Sequence, residues 1–173
     1  MPGLQHKYSQ TALILATNKC GMFCRHCFRK RLVGLQSEDI LFRFVSAVNY
    51  IKKHKEINNV LITGEDPFVL PTKLIVKFLE KLSDIDHIDF IRFGTRIPVT
   101  FPNRILKDDK LLEGLKKYSL PNRRIYTHFN HPKEITKEST EAINRLLKSN
   151  IIVNNQSVLL KGVNDDSEIL GEL

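Results

Sequence analysis

The stretch Thr11-Ala-Leu-Ile-Leu-Ala-Thr17, followed at once by Cys20-Gly-Met-Phe-Cys24-Arg-His-Cys27, is where the reading of this chain begins. The first segment spells a short buried strand, so the thiols leave the carboxyl end of a strand on a loop. All three cysteines of the chain fall in this loop, and the basic run Arg29-Lys30-Arg31 follows them. Three thiols so close cannot all pair as disulfides, but three thiolates can ligate one inorganic centre. A four-iron cluster held by Cys20, Cys24 and Cys27 keeps one iron open to an outside ligand. Two plainer readings stand beside it. One is a zinc ion with His26 or His6 as fourth ligand, and the other is three unrelated buried thiols. Structural zinc usually draws on paired cysteine clusters far apart in sequence, and the chain has no second cluster, so the spacing favours iron and sulfur.

The chain downstream alternates β-rich and amphipathic helical runs. Strands are expected at 11–17, Asn59–Thr63, Ile88–Gly94, Arg124–Phe129 and Ile151–Ser157. A first helix is expected after Ser37 as N-cap, with Glu38 and Asp39 complementing its dipole and Ile40, Leu41, Phe44, Val45, Val48 and Ile51 keeping helical spacing down to about Lys55. Thr72 is expected to cap the second helix, whose stripe is Leu74, Ile75, Phe78, Leu79 and Leu82. A shorter helix follows over 107–118, another runs from a Thr136 cap to about Lys148, and a last one opens near Asp165. Such alternation predicts an α/β fold, a parallel sheet with right-handed crossovers. Active sites of these sheets and barrels gather at the carboxyl ends of the strands. The polar and Gly/Pro motifs sit there: the cysteine loop, Gly64–Pro67, Thr95-Arg96, His128–Pro132 and Asn154–Gln156.

With 173 residues and 42% hydrophobic content, the chain fits one domain over 1–173 with a real core. The longest clean apolar run, Ala12 to Ala16, is too short to cross a bilayer, and no charged-then-apolar leader opens the sequence. Reduced thiols without an export signal point to the cytoplasm. The net charge of +8 raises a nucleic-acid reading, a basic metal-stabilised binding module without catalysis. The cations are scattered, however, and no arginine–aromatic ladder accompanies them, which favours a solvated lysine-rich surface.

The spacing C-x3-C-x2-C on the first strand-loop resembles the radical S-adenosylmethionine (SAM) superfamily. Further motifs narrow the resemblance: Thr63-Gly-Glu-Asp-Pro-Phe68, Gly94-Thr-Arg-Ile-Pro-Val99, Pro102-Asn-Arg-Ile105, Thr127-His-Phe-Asn-His-Pro132 with Glu134-Ile-Thr136, and Asn155-Gln-Ser-Val-Leu-Leu160 with Gly162-Val-Asn-Asp165. In this order and spacing they resemble the lysine 2,3-aminomutase family, with its glutamate-acting and elongation factor P β-lysylation relatives. The resemblance implies a partial parallel (β/α)6-type barrel, here about five βα units. It implies a [4Fe-4S] cluster on Cys20, Cys24 and Cys27, and SAM bound among His26, Gly64, Glu65, Asp66, His128, His131 and Gln156. Glu65 stands where the family has a second glycine. Arg29 matches the arginine that receives the substrate carboxylate, and Arg96 suits the same class of anion. Lys7-Tyr8 resembles the pair near the phosphate of pyridoxal 5′-phosphate (PLP), with Thr11 in place of a further arginine.

In that family, reductive cleavage of SAM gives a 5′-deoxyadenosyl radical, and the amino group of a PLP-bound amino acid moves from C2 to C3. An amino-acid or protein-lysine substrate, a flavodoxin or ferredoxin reductant and a homo-oligomer are implied with it. The family's PLP lysine lies on a glycine-rich loop beyond the matched region, so the chain reads as the cluster-and-SAM part of such an enzyme, C-terminally incomplete.

Overall fold

Five of the strands fall where the alternation predicts them, and a sixth precedes them. They are β1 (Leu4–Tyr8), β2 (Thr11–Leu15), β3 (Asn59–Thr63), β4 (Phe90–Gly94), β5 (Arg123–Thr127) and β6 (Ile152–Asn155). The computed structural model describes residues 3–31, 40–118 and 123–173. All six strands join one sheet whose spatial order is the chain order; β2 to β6 pair in parallel and β1 pairs antiparallel with β2. Because every right-handed crossover advances the sheet by one strand in the same direction, the helices collect on one face. The order never reverses, as it would in a doubly wound sheet, so the sheet is a portion of a (β/α) barrel.

One strand face makes the core. Ala12, Ile14, Val60, Ile62, Ile91 and Phe93 are at most 2% exposed and pack with the helices. The first two helices, α1 (Ile40–Lys53) and α2 (Thr72–Ser83), meet through Phe44 and Phe78, whose rings stack at 3.9 Å. Each such buried side chain stabilises by about 1.5–3 kcal/mol. Among the described side chains the α1 stripe differs from the pattern at one place: Val45 is 41% exposed, and Ala47 is buried. The expected cap at Ser37, with Glu38 and Asp39, lies outside the described residues.

Three further differences have physical causes. β1 was not expected, since Gln5-His6-Lys7-Tyr8 carries no β-branched residue. It forms an edge strand held by its backbone pairing with β2 while most of its side chains stay in solvent. Thr72 does not cap α2, which follows Pro71; its hydroxyl donates instead to Asp108. Asp108 accepts the Leu111 amide at 3.0 Å, capping α5 (Asp109–Lys117), and pairs with Arg104, so one carboxylate fixes three elements. The proline-bearing loop after β4 contains two short helices, α3 (Ile97–Thr100) and α4 (Asn103–Leu106). Pro98 sits in the first turn of α3 and Pro102 just ahead of α4, where a missing N–H costs nothing. The Thr136 cap holds: its hydroxyl accepts from Ser139 N at 3.1 Å and opens α6 (Lys137–Lys148). Asp166 caps the final α7 (Ser167–Gly171).

Candidate functional site

The loops after β2, β3, β4 and β5 surround a cavity of about 340 Å³. Cys20, Cys24 and Cys27 occupy one wall, Gly64–Asp66 a second, and Thr95, Arg96 and His128 a third. That volume suits a small cofactor. Phe23 and Phe28 stand at the rim, 71% and 93% exposed, as apolar surface beside the thiols.

Backbone bonds that continue the β2–β3 pairing past both strand ends hold the base of the cysteine loop. Ala16 N donates to the Thr63 carbonyl at 2.7 Å, Glu65 N to Thr17 at 3.2 Å, and Asp66 N to Lys19 at 3.1 Å. Gly64 makes this possible. Its φ is +127°, and a Cβ there would run into the Thr17 carbonyl oxygen and lie 3.0 Å from the Thr17 nitrogen. Its lack of a side chain therefore serves the approach of two backbones at a position that also lines the cavity.

Asp66 has a similar inward task. Its side chain accepts from Thr95 Oγ1 at 2.6 Å, Arg96 N at 2.8 Å and Phe68 N at 3.0 Å. Burial pushes its carboxyl up, and these donors oppose that shift by favouring the ionised form. Asp66, which also lines the cavity, thus ties the β3 loop to the β4 loop.

Arg96 crosses the site. Nε donates to the His128 carbonyl at 3.0 Å, one terminal nitrogen to Cys24 Sγ at 3.1 Å, and the other to Glu134. Burial opposes the guanidinium charge, but the Cys24 sulfur and the Glu134 carboxylate hold its pKa above the ordinary value. Glu134 is itself fixed by the Asn130 amide at 2.7 Å. Nothing in the local sequence shows that Glu134 serves Arg96, since the two meet only through folding. Arg29 pairs with Glu65 at 3.5 Å; the Glu65 side chain is 2% exposed, and Arg29 Nε is buried without a partner. The substitution of the family's second glycine thus places a carboxylate on the arginine that matches the family's substrate-carboxylate arginine.

Burial, and then the charge of Arg96, lowers the pKa of both His26 and His128 from the ordinary 6.5. His128 also hydrogen-bonds the Gln156 backbone. Neutral at pH 7, it offers one ring N–H to that carbonyl and keeps the other nitrogen as an acceptor. Because the folded pKa is depressed, the unfolded chain takes up protons first as pH falls through about 6.5, and stability is lost below that point. The urea midpoint of the metal-free protein is therefore expected to be flat above about pH 7 and to fall toward pH 5.5. His128→Gln flattens part of that fall, and an unchanged slope overturns the assignment.

The fold leaves several expected residues away from the cavity. Tyr8 pairs with Thr11 at the start of β2, so Lys7 and Tyr8 lie at the end of the sheet opposite the cysteines. His6 lies on the same strand and cannot complete a site with the cysteines. His131 caps the turn Pro132–Glu134, its Nδ1 accepting from Lys133 N at 3.1 Å. Gln156 is exposed and takes part through its backbone, its amide donating to the Thr127 carbonyl at 2.8 Å. One residue went unread: Arg92, two positions before Gly94 on the same strand face, stands 5.5 Å from the centre of the Tyr126 ring with Nε buried and unpartnered. The β-period would have placed it on the inner face, away from the helices.

The donor set fits a cluster better than a single ion. The three cysteines are free and half-buried, and burial raises the Cys20 thiol pKa. They do not all lie within 4.8 Å of one another. A single zinc ion draws its ligands closer than that, with Zn–S about 2.3 Å, whereas the corners of a cluster hold thiolates further apart. PLP does not fit in the same way. Among the described residues Lys30 is the lysine at the cavity, and its Nζ donates to the Arg25 carbonyl at 3.1 Å.

Residues 14–173 match the family model of the radical SAM superfamily. A protein of Aquifex aeolicus is 47% identical over 175 residues, covering 100% of this chain and 46% of its own length. The L-lysine 2,3-aminomutase of Clostridium subterminale is 41% identical, covering 100% of this chain and 41% of its own length. The glutamate 2,3-aminomutase of Clostridioides difficile is 40% identical over 168 residues, covering 96% and 39%. The chain thus spans less than half the length of these curated relatives. Among the described residues no helix is long and apolar enough to cross a membrane.

Proposed function

Because the chain belongs to the radical SAM superfamily, we propose that it is the cluster-and-SAM portion of an amino-acid 2,3-aminomutase. The observation that carries this reading is the convergence of the three cysteines and three further strand-end loops on one cavity. Cys20, Cys24 and Cys27 hold a [4Fe-4S] cluster, and SAM lies against Gly64, Glu65, His26 and His128. When bound, the cluster supplies the electron that cleaves SAM to methionine and a 5′-deoxyadenosyl radical, the species that drives the C2-to-C3 amino shift.

The chain's own residues bind and shield. Arg96 donates to Cys24 Sγ and places positive charge beside the thiolates. Gly64–Asp66 fixes the cysteine loop through backbone bonds. Neutral His128 presents an acceptor to the cavity. Phe23 and Phe28 supply apolar surface to cover a bound ligand. PLP and the amino-acid substrate belong to the complete enzyme, because the lysine at the cavity among the described residues, Lys30, is held by the Arg25 carbonyl. A flavodoxin or ferredoxin is the reductant, the cytoplasm the compartment and a homo-oligomer the assembly.

The test is anaerobic reconstitution with iron and sulfide, reduction, and chromatographic assay of 5′-deoxyadenosine from SAM. Turnover that vanishes in Cys24→Ala together with the brown colour is expected. A colourless protein with stoichiometric zinc, or a loaded cluster that leaves SAM intact, overturns the reading.

A further inference from the structure

At the end of the sheet opposite the cysteines, another group of ligating side chains comes together. His6 projects from β1, and His54 and Glu56 from the turn that joins α1 to β3. Ligand-capable atoms of these three residues all lie within 4.8 Å of one another. They are the one such group of histidine, cysteine and acidic residues found among the described residues. Nothing in the proposed chemistry of the cysteine mouth uses them.

The hydrogen bonds around the group select a tautomer for the neutral ring of His6. Its Nε2 lies 3.0 Å from the Ser9 carbonyl, which can only accept, so Nε2 carries a proton and Nδ1 is the nitrogen that can offer a lone pair. An imidazole whose second nitrogen donates to a backbone carbonyl is the usual arrangement around a metal-binding histidine, because it fixes the tautomer and ring direction. That Nδ1 faces Tyr50 Oη at 3.1 Å. Tyr50 stacks on His54 with ring centres 3.9 Å apart, which holds the second imidazole beside the first at 5.7 Å, ring centre to ring centre. His54 Nδ1 in turn meets Glu56 Oε1 at 2.7 Å. The Glu56 backbone amide and His54 keep the Glu56 carboxyl below its ordinary range, so it is charged at neutral pH.

We propose that His6, His54 and Glu56 form a second metal site, for a divalent ion of the class imidazole prefers, such as Zn²⁺, Co²⁺ or Ni²⁺. Two nitrogens and one carboxylate make a three-ligand set that leaves the remaining positions to water. An ion entering it exchanges the Tyr50–His6 and His54–Glu56 hydrogen bonds for coordination. Without metal those bonds satisfy the same atoms, so the site is loaded and emptied without unfolding. The ion joins the β1–β2 hairpin to the α1–β3 turn, two segments already in contact through the Asn58 and Asn59 amides on the Gln10 carbonyl at 3.2 and 3.0 Å.

The test uses tag-free, iron-loaded protein under anaerobic conditions, so that the cysteines are occupied, and titrates it with Co²⁺ alone. Saturable visible d–d absorbance without a thiolate-to-cobalt charge-transfer band is expected, at unchanged iron content. His54→Ala should weaken it more than about 100-fold. Glu56→Gln, at a side chain 48% exposed where folding is not at stake, should weaken it in the same direction. His131→Ala, at the other end of the sheet, should leave it unchanged. The proposal is overturned by the absence of saturable Co²⁺ uptake. It is also overturned by uptake that His54→Ala and Glu56→Gln leave intact, or by a charge-transfer band showing thiolate ligation.

Discussion

Gly64→Ala is expected to lower the melting temperature by about 10 °C and to abolish cluster assembly under conditions where the parent chain loads fully. The backbone φ of +127° is one that an L side chain rarely adopts, a strain of about 1–3 kcal/mol. Added to it is the collision of the new Cβ with the Thr17 carbonyl, a backbone atom fixed by its bond from Glu65 N. Together these reach about 4 kcal/mol, and for a chain of this size each kcal/mol moves the midpoint by about 2–4 °C. The damage is local as well as global, because Thr17 and Lys19 anchor the loop that starts at Cys20. Gly171→Ala is the control: nothing lies within 4 Å of a Cβ there, and no loss is expected. A Gly64→Ala protein that melts like the parent would show that the two strand ends are not clamped as described.

Arg96→Met is expected to leave the three thiolates able to load a cluster while moving its reduction potential about 50–100 mV more negative. Arg96 donates to Cys24 Sγ at 3.1 Å, and a cation on a ligand sulfur stabilises the reduced, more negative form. A hydrogen bond from a charged group contributes about 1.5–3 kcal/mol, reduced here by the neutralising Glu134, and 59 mV is tenfold for one electron. SAM cleavage should slow by about tenfold or more. Arg96→Lys keeps the charge but cannot span Cys24, Glu134 and the His128 carbonyl together, so it should restore part of the potential and less of the rate. Potentiometry followed by EPR reads the outcome, and an unshifted potential in Arg96→Met removes Arg96 from this role.

Much of the site was legible because its motifs are local. Cys20, Cys24 and Cys27 fall within one loop, and the period-2 and period-3.6 patterns placed that loop, Gly64–Asp66, Thr95-Arg96 and His128 at strand ends, which a parallel sheet brings together. Less legible was what each residue does there. Asp66 and Gly64 read as ligand contacts, and their further task as ties between loops was not legible, since hydrogen-bond partners 29 residues apart leave no mark on a local pattern. The hairpin that places Lys7 and Tyr8 at the end of the sheet opposite the cysteines had no strand signal in its own side chains.

By itself, then, the sequence determined the α/β class, the chain-order alternation behind the sheet and the grouping of three cysteines on one strand-end loop. These depend on spacing along the backbone, which the chain carries before it folds. Only the tertiary structure decided that Glu65 neutralises Arg29, that Glu134 holds Arg96 against Cys24, and that His6 meets His54 and Glu56. Each of those is a contact between charged or polar groups from separate elements. Its existence depends on crossover geometry and burial, which fix distance and dielectric only once the sheet has formed.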